Sequence, residues 1–325
     1  MRIDQIIDKI TKTIFSPALI PSTIQGKISW RFYVFVFLIA LKKKYLLYRR
    51  WSFQWLFNRE QLHQYNITKE SFDPTNKKNG ITALWRFKNS ADFLEICIKS
   101  ILPYVDEVIM LVDMSSTDNT GDICKKLASQ YPHKCKYYEY DQAVYPWNHG
   151  HYRSDQDNSV HALSYFYNYC MSKATYKYVM KFDDDMLCVW EEFWKLCDHI
   201  KKDWLDHFLD IPQINISRNN EWKFAIANKY LSSAVAWIFG DHGIFSISQE
   251  TYFFNDTWCE NLISPYRIKY ANKIWFLHLK NLKQWWGMNN YSWFWVEYIK
   301  QLNQWTWYID LPTKYTRILK QRGIE

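Results

Sequence analysis

The stretch 176-YKYVMKFDDDMLCVW-190 sets three consecutive aspartates directly behind an apolar run. The run reads as a strand buried on both faces, and the acids fall at its carboxyl end. Carboxylates that close repel one another, which favours a bound cation or shifted pKa values. Lys181 is the base nearest the acids in the stretch. Hard oxygen ligands suit Mg²⁺ or Mn²⁺. In an extended segment alternate side chains share a face, so Asp183 and Asp185 are expected to point together at the cation. Asp184 is expected to point elsewhere, toward a sugar.

Working outward, 81-ITALWRF-87, 107-EVIMLVD-113 and 135-CKYYEY-140 read as three further strands. Between them, residues 90–102 carry apolar positions at helical spacing, with Ser90 as the expected N-cap. Residues 114–129 form a polar loop opening a second helix, and 158–174 a third. This alternation predicts an α/β fold, doubly wound, with a mixed, mostly parallel sheet flanked by helices. In such sheets ligands bind outside the carboxyl ends of the strands, where Asp113 and Asp183–Asp185 lie. The chain holds eight glycines and neither G-x-G-x-x-G nor a Walker A loop, so a glycine-rich phosphate cradle is excluded. A metal held by two aspartates would be left to neutralise a diphosphate.

The second motif is 113-DMSSTDNT-120. An aspartate at a strand end can accept two hydrogen bonds from a ribose diol or a uracil-type edge. Ser116 and Thr117 are placed to cap the following helix, whose N-terminus favours anions. An ordinary strand-to-helix loop uses the same residue types for capping alone.

Taken together, the two motifs resemble nucleotide-sugar glycosyltransferases of the GT-A fold, close in pattern to the inverting family 2. The resemblance covers residues 81–190 and rests on three matches. Arg86 to Asn89 follow the first strand. Asp113, Ser116, Thr117, Asp118 and Thr120 match D-x-x-S-T-D-x-T, and Asp183 and Asp185 match D-x-D. It implies that Arg86, Asp113, Ser116, Thr117, Asp118, Asp183 and Asp184 meet the nucleotide sugar, and that Asp183 and Asp185 hold Mn²⁺ or Mg²⁺. It implies His278 as a third metal ligand, with Lys280 or Lys283 toward phosphate. An inverting enzyme needs a general base for the acceptor hydroxyl. The family's downstream Glu-Asp pair is absent here, which leaves Glu260 and Asp241 as the catalytic candidates. The donor expected is a nucleoside-diphosphate sugar, UDP-linked, and the acceptor a glycan or glycolipid hydroxyl.

Charge and composition set the surroundings. Residues 1–79 hold 14 Lys/Arg against 5 Asp/Glu, while residues 80–325 hold 27 against 28. A neutral body excludes nucleic acid as a partner; the basicity belongs to one region. There an apolar run from Phe32 to Leu41 precedes Lys42, Lys43, Lys44, Arg49 and Arg50, with Trp30, Trp51 and Trp55 around them. The run is too short to span a bilayer but suits an anionic membrane surface. Seven cysteines without C-x-x-C spacing read as reduced, buried thiols of a cytosolic protein. The expected organisation is a helical N-terminal segment and polar linker (1–79), a nucleotide-sugar-binding half (80–190), and an acceptor-binding half with a Trp-rich helical tail (191–325). The expected setting is the inner face of the cell membrane, in bacterial surface polysaccharide or lipopolysaccharide synthesis. The rival readings are a sugar-nucleotide nucleotidyltransferase, which needs the missing glycine loop, and a non-catalytic binding module.

Overall fold

The structure is a computed structural model, and it describes residues 58–145, 158–189, 192–202, 207–211, 213–218, 223–226, 242–255, 260–264, 267–270, 276–279, 282–283 and 309–324. The apolar basic N-terminal run, the tail tryptophans 275, 285, 286, 293, 295, 305 and 307, and Asp241 lie outside the described residues. In chain order the elements are β1 (Lys78–Phe87), α1 (Leu94–Ile101), β2 (Glu107–Asp113), α2 (Thr120–Gln130), β3 (Cys135–Tyr140), α3 (Leu163–Ser172), β4 (Tyr176–Lys181) and β5 (Met186–Cys188). Then follow α4 (Phe193–Lys202), β6 (His207–Asp210), β7 (Gln213–Arg218), β8 (Phe224–Ile226), β9 (Gly243–Ser246), β10 (Tyr252–Asn255) and β11 (Glu260–Ile263). The last are β12 (Arg267–Tyr270), β13 (Phe276–His278), β14 (Ile309–Asp310) and α5 (Thr313–Gln321).

The central sheet has seven strands in the order β12-β6-β9-β4-β1-β2-β3. β1 pairs in parallel with β2 and β4, and β2 with β3. β9 is antiparallel to both its neighbours, so the sheet is mixed but mostly parallel. Alternation explains why these strands read as continuous apolar runs. Ile81, Ala83, Trp85, Val108, Met110, Tyr178 and Met180 face a core closed by α1, α2 and α4. Leu84, Ile109, Leu111 and Val179 face a second core closed by α3. Both faces are dry, which a parallel sheet requires.

The winding reverses beside β1. The chain steps from β1 to β2 to β3 in one direction, then crosses back through α3 to place β4 on the other side of β1. The crevice of such a sheet opens at the carboxyl ends of the strands flanking the reversal. Here those ends carry Arg86 and the Lys181–Asp185 run.

Three sequence expectations need correction. Residues 58–79 are no loose linker: Tyr65, Ile67 and Phe72 are buried in the α3-side core. Tyr165 Oη donates to the Tyr65 carbonyl at 2.8 Å, and Asn58 Nδ2 donates to the Leu62 carbonyl at 2.9 Å. Three short 3₁₀ turns give this polar stretch enough local structure to seat its few aromatic residues. Ser90 does not cap α1, which starts at Leu94 after Phe93. Its backbone N–H is drawn instead to Thr120 Oγ1, at 2.8 Å. Residue 190 divides no folding units, because β6, β9 and β12 complete the central sheet. β5 joins β7, β8, β13 and β14 in a five-stranded sheet, so strands from both sides of the boundary share each sheet.

Candidate metal and nucleotide site

The three aspartates leave the end of β4 in a tight turn rather than an extended run, with Met186 N–H donating to the Asp183 carbonyl at 3.2 Å. Asp183 and Asp185 still converge, because the turn brings them together where alternation was expected to. With His278 they offer three ligand atoms within 4.8 Å of one another. β13 supplies His278: it lies antiparallel to β5, and Leu279 N–H donates to the Asp185 carbonyl at 2.8 Å.

Lys181 is far from the only base here. Arg86 Nη2 lies 3.1 Å from Asp183 Oδ1, and Lys181 Nζ lies 3.8 Å from the same oxygen. His242 Nε2 lies 2.9 Å from Asp183 Oδ2. Lys283 Nζ bridges Asp184 Oδ1 at 2.8 Å and Asp185 Oδ2 at 2.9 Å. These partners come from four separate stretches of chain, which is why the local sequence hid them. Tyr167 on α3 backs the cations, with its ring centroid 3.0 Å from the Arg86 guanidinium carbon and 4.9 Å from Lys181 Nζ. Desolvated cation–π contacts of this kind contribute about 2 kcal/mol.

The charges sort the three acids. Burial alone would raise Asp183, but Lys181, His242 and Arg86 outweigh it and hold its carboxyl well below the usual range. Burial also acts on Asp185, where Lys283 and His278 overcome it and the carboxyl again ends low. Burial wins at Asp184: Asp185 and Asp183 add to it, Lys283 offsets only part, and the carboxyl is raised. Asp184 anchors Lys283 in this arrangement.

The cation test falls on two buried atoms. Asp185 Oδ1 and His278 Nε2 face each other at 3.2 Å and have no other partner among the described residues; with the imidazole proton on Nδ1 both are bare electron-pair donors. Two electron-pair donors left unsatisfied in a dry place are costly unless a cation sits beside them. The donor set, two carboxylates and one imidazole, fits Mn²⁺ or Mg²⁺. Asp183, whose side chain keeps 30% of its surface exposed against 4% for Asp185, forms the open side of the site.

The D-x-x-S-T-D-x-T residues behave differently from expectation. Asp113 is fully buried and both oxygens are engaged. Oδ1 accepts from Ser115 N–H at 2.8 Å and Ser115 Oγ at 2.6 Å; Oδ2 accepts from Val144 N–H at 2.8 Å and pairs with Lys88 Nζ at 3.0 Å. In this arrangement the carboxylate ties three loops together. Ser116 Oγ donates to the Asp113 carbonyl at 2.6 Å, and Thr117 N–H donates to Asn89 Oδ1 at 2.7 Å. The N-cap position of α2 is Asn119, not Ser116 or Thr117; Asp118, just before it, accepts from Thr120 N–H at 3.1 Å and from Ala91 N–H at 3.0 Å. Asn89 takes a left-handed φ of 49°, a conformation its short polar side chain tolerates. These residues stitch the β1–α1 and β2–α2 loops into one rim, with Met114 and Thr117 exposed on it.

Of the two base candidates, Glu260 opens β11 in a two-stranded hairpin with β10, outside the central sheet. Its side chain lies outside the described part, as does Asp241. Sequence reading missed His242, Tyr167, Gln213 and Asn215. The one signal for the last two is their alternate spacing on β7, beside His278 in the parallel register of β13.

The Glycosyl transferase family 2 model matches residues 86–145. No curated protein sequence matches the chain. Among solved structures, S. aureus TarS (residues 1–349) is similar at 15% identity and a TM-score of 0.40, over 62% of this chain and 60% of that one. A mannosyltransferase from Pyrobaculum calidifontis, solved with GDP-Man and Mn²⁺, is similar at 15% identity and a TM-score of 0.33, over 66% and 55%. Glucosyl-3-phosphoglycerate synthase from Mycobacterium tuberculosis, solved with Mn²⁺, UDP and phosphoglyceric acid, is similar at 17% identity and a TM-score of 0.32, over 56% and 60%. The chain thus spans less than two thirds of the length of each of these structures. The family match runs from the end of β1 through β3, along the strand ends that frame the acid cluster, and over that stretch the chain is similar to glycosyl transferase family 2, on an α/β fold with a mostly parallel sheet.

Proposed function

We propose that this chain transfers a sugar from a nucleoside-diphosphate sugar, UDP-linked, to a hydroxyl of a glycan or lipid-linked acceptor, with inversion. The observation that carries the reading is the pair of unsatisfied donors, Asp185 Oδ1 and His278 Nε2, beside Asp183 at the mouth of the crevice. Asp183, Asp185 and His278 would hold Mn²⁺ or Mg²⁺. When bound, that ion supplies Lewis-acid stabilisation of the diphosphate leaving group. Arg86, Lys181 and Lys283 concentrate positive charge where the diphosphate must lie, in the absence of a glycine-rich cradle. The stitched loop rim, held by Asp113, Ser116, Thr117 and Asp118, would shape the nucleoside side. For the general base, Asp241 immediately precedes His242, which reaches Asp183, and this supports Asp241 over Glu260.

Calorimetric titration of UDP with and without Mn²⁺ tests the reading, beside an Asp183→Ala, Asp185→Ala double variant. Metal-dependent binding that disappears in the variant is the expected result. Failure of UDP, GDP and CMP to bind under any condition would overturn it. Binding without turnover of any donor sugar would return the chain to a non-catalytic module.

The proposed setting is the inner membrane face, in surface polysaccharide or lipopolysaccharide synthesis, supported by the polybasic, Trp-flanked N-terminal run. No helix among the described residues is long and apolar enough to cross a membrane. Sedimentation with anionic but not zwitterionic vesicles is the outcome expected of peripheral contact.

A further inference from the structure

His278 is flanked on its far side by two amides. Its Nδ1 lies 2.8 Å from Asn215 Oδ1 and 3.2 Å from Gln213 Nε2. These neighbours make opposite demands, since a carbonyl oxygen needs Nδ1 to carry a proton and an amide nitrogen needs it bare. Which end of a side-chain amide is oxygen is settled by the hydrogen-bond network around it. Here the network is informative, because Gln213 Oε1 is itself buried without a partner. Turning the Gln213 amide about its terminal bond puts that orphan oxygen toward Nδ1 and moves the amide nitrogen into the place the oxygen held. The Nδ1–H then donates to both Asn215 and Gln213, and the conflict is gone.

The consequence falls on the other ring nitrogen. A neutral imidazole protonated at Nδ1 carries its lone pair on Nε2, which faces Asp185 Oδ1 at 3.2 Å. Both atoms are orphans with the proton on Nδ1, and one cation satisfies both. A single amide turn and a single ion therefore account for Asp185 Oδ1, His278 Nε2 and Gln213 Oε1 together. The opposite assignment, with Nδ1 accepting from both amides, puts the proton on Nε2, where it donates to Asp185 Oδ1 and removes the need for a cation, and it leaves the Gln213 oxygen orphaned. Backbone placement fits the pair: Gln213 and Asn215 alternate on β7, and Asn215 is in register with His278 on β13.

We infer that Gln213 and Asn215 are positioning residues that hold His278 in its Nδ1-protonated tautomer and so present the Nε2 lone pair to the divalent cation. The inference rests on the metal-dependent reading above. It predicts that the site is built for a metal before any nucleotide arrives.

The test titrates Mn²⁺ alone into the full chain, following the free-ion electron paramagnetic resonance signal. Asn215→Leu and Gln213→Leu should each weaken Mn²⁺ by about 10- to 100-fold, the usual cost of losing such a partner. Asn215→Asp, which can only accept from Nδ1–H, should bind Mn²⁺ at least as well as the wild type. Spin-echo modulation from an imidazole nitrogen should mark the Mn²⁺ complex of the wild type and vanish in His278→Ala. If the Leu variants bind Mn²⁺ like the wild type, or Asn215→Asp weakens it, the inference is overturned while the metal site stands. If the wild type binds no Mn²⁺, the metal-dependent reading itself fails. Should the Leu variants not fold, Asn215→Asp and the spin-echo signal decide the matter.

Discussion

Lys283 is the residue on which the acid cluster balances. It neutralises Asp184 and Asp185, and burial, which alone would lower it, is overcome by those two carboxylates, so its pKa is raised. Removing one partner of a buried ion pair leaves the other uncompensated and costs about 3–5 kcal/mol. Lys283→Met should lose stability on that scale in urea, and added Mn²⁺ should restore part of it. Loss that Mn²⁺ leaves untouched would show that the ion does not reach Asp185. Asp113 makes a second case. Asp113→Ala strands Lys88 and two backbone N–H groups, and should cost about 3 kcal/mol or more in the same assay; unchanged stability would refute its role as a loop tie. Acid sensitivity follows from the depressed carboxyls. Asp183 and Asp185 stabilise the fold above their unfolded pKa, near 4, and that contribution is lost as pH falls through their lower folded values; Asp184, being raised, works in the opposite sense. Two acids outvote one, so unfolding midpoints should fall as pH drops below about 4, and less steeply in Asp183→Asn.

At the scale of elements, β9 controls how His242 meets Asp183. Gly243 follows His242 and passes so close to β6 that a Cβ there would collide with the Leu209 carbonyl oxygen and the Phe208 ring. The obstacle is partly backbone, which cannot step aside without moving the strand. Gly243→Ala should cost about 1–3 kcal/mol, as overpacking does, and should weaken Mn²⁺ binding by displacing His242. Thermal unfolding and the Mn²⁺ titration measure the two effects separately. The boundaries of Glu107–Asp113 were legible because a short continuous apolar run bounded by polar residues suits a strand covered on both faces. The start of α1 was not, because Ser90 answers to Thr120, thirty residues away. Nor was the docking of residues 58–76, whose polar composition hides the buried Tyr65, Ile67 and Phe72.

Across the whole molecule, the cysteines report how tightly the core is closed. Cys97, Cys124, Cys135, Cys170, Cys188 and Cys197 are free and buried. Burial pushes the Cys135 thiol up to about 11 and the Cys170 thiol up to about 12, so neither is a thiolate near neutrality. In a Cys259→Ser variant none of these six should react with a thiol reagent at about pH 8 until the protein is denatured. Rapid labelling of the native variant would mean the two-sided sheet is not closed.

The sequence by itself determined the alternation of strands and helices, the doubly wound sheet and the Asp183–Asp185 pair, because each is a local pattern of apolar runs and turns. Tertiary structure alone decided the balance of charge. Arg86, His242, His278 and Lys283 meet the acids from distant stretches of chain, and only the packing of β1, β4, β9 and β13 sets those distances. The same holds for Asp113, which a strand-end motif marks as a ligand contact but which the loops enclose. Burial and partner geometry are properties of the fold, and no spacing along the chain encodes them.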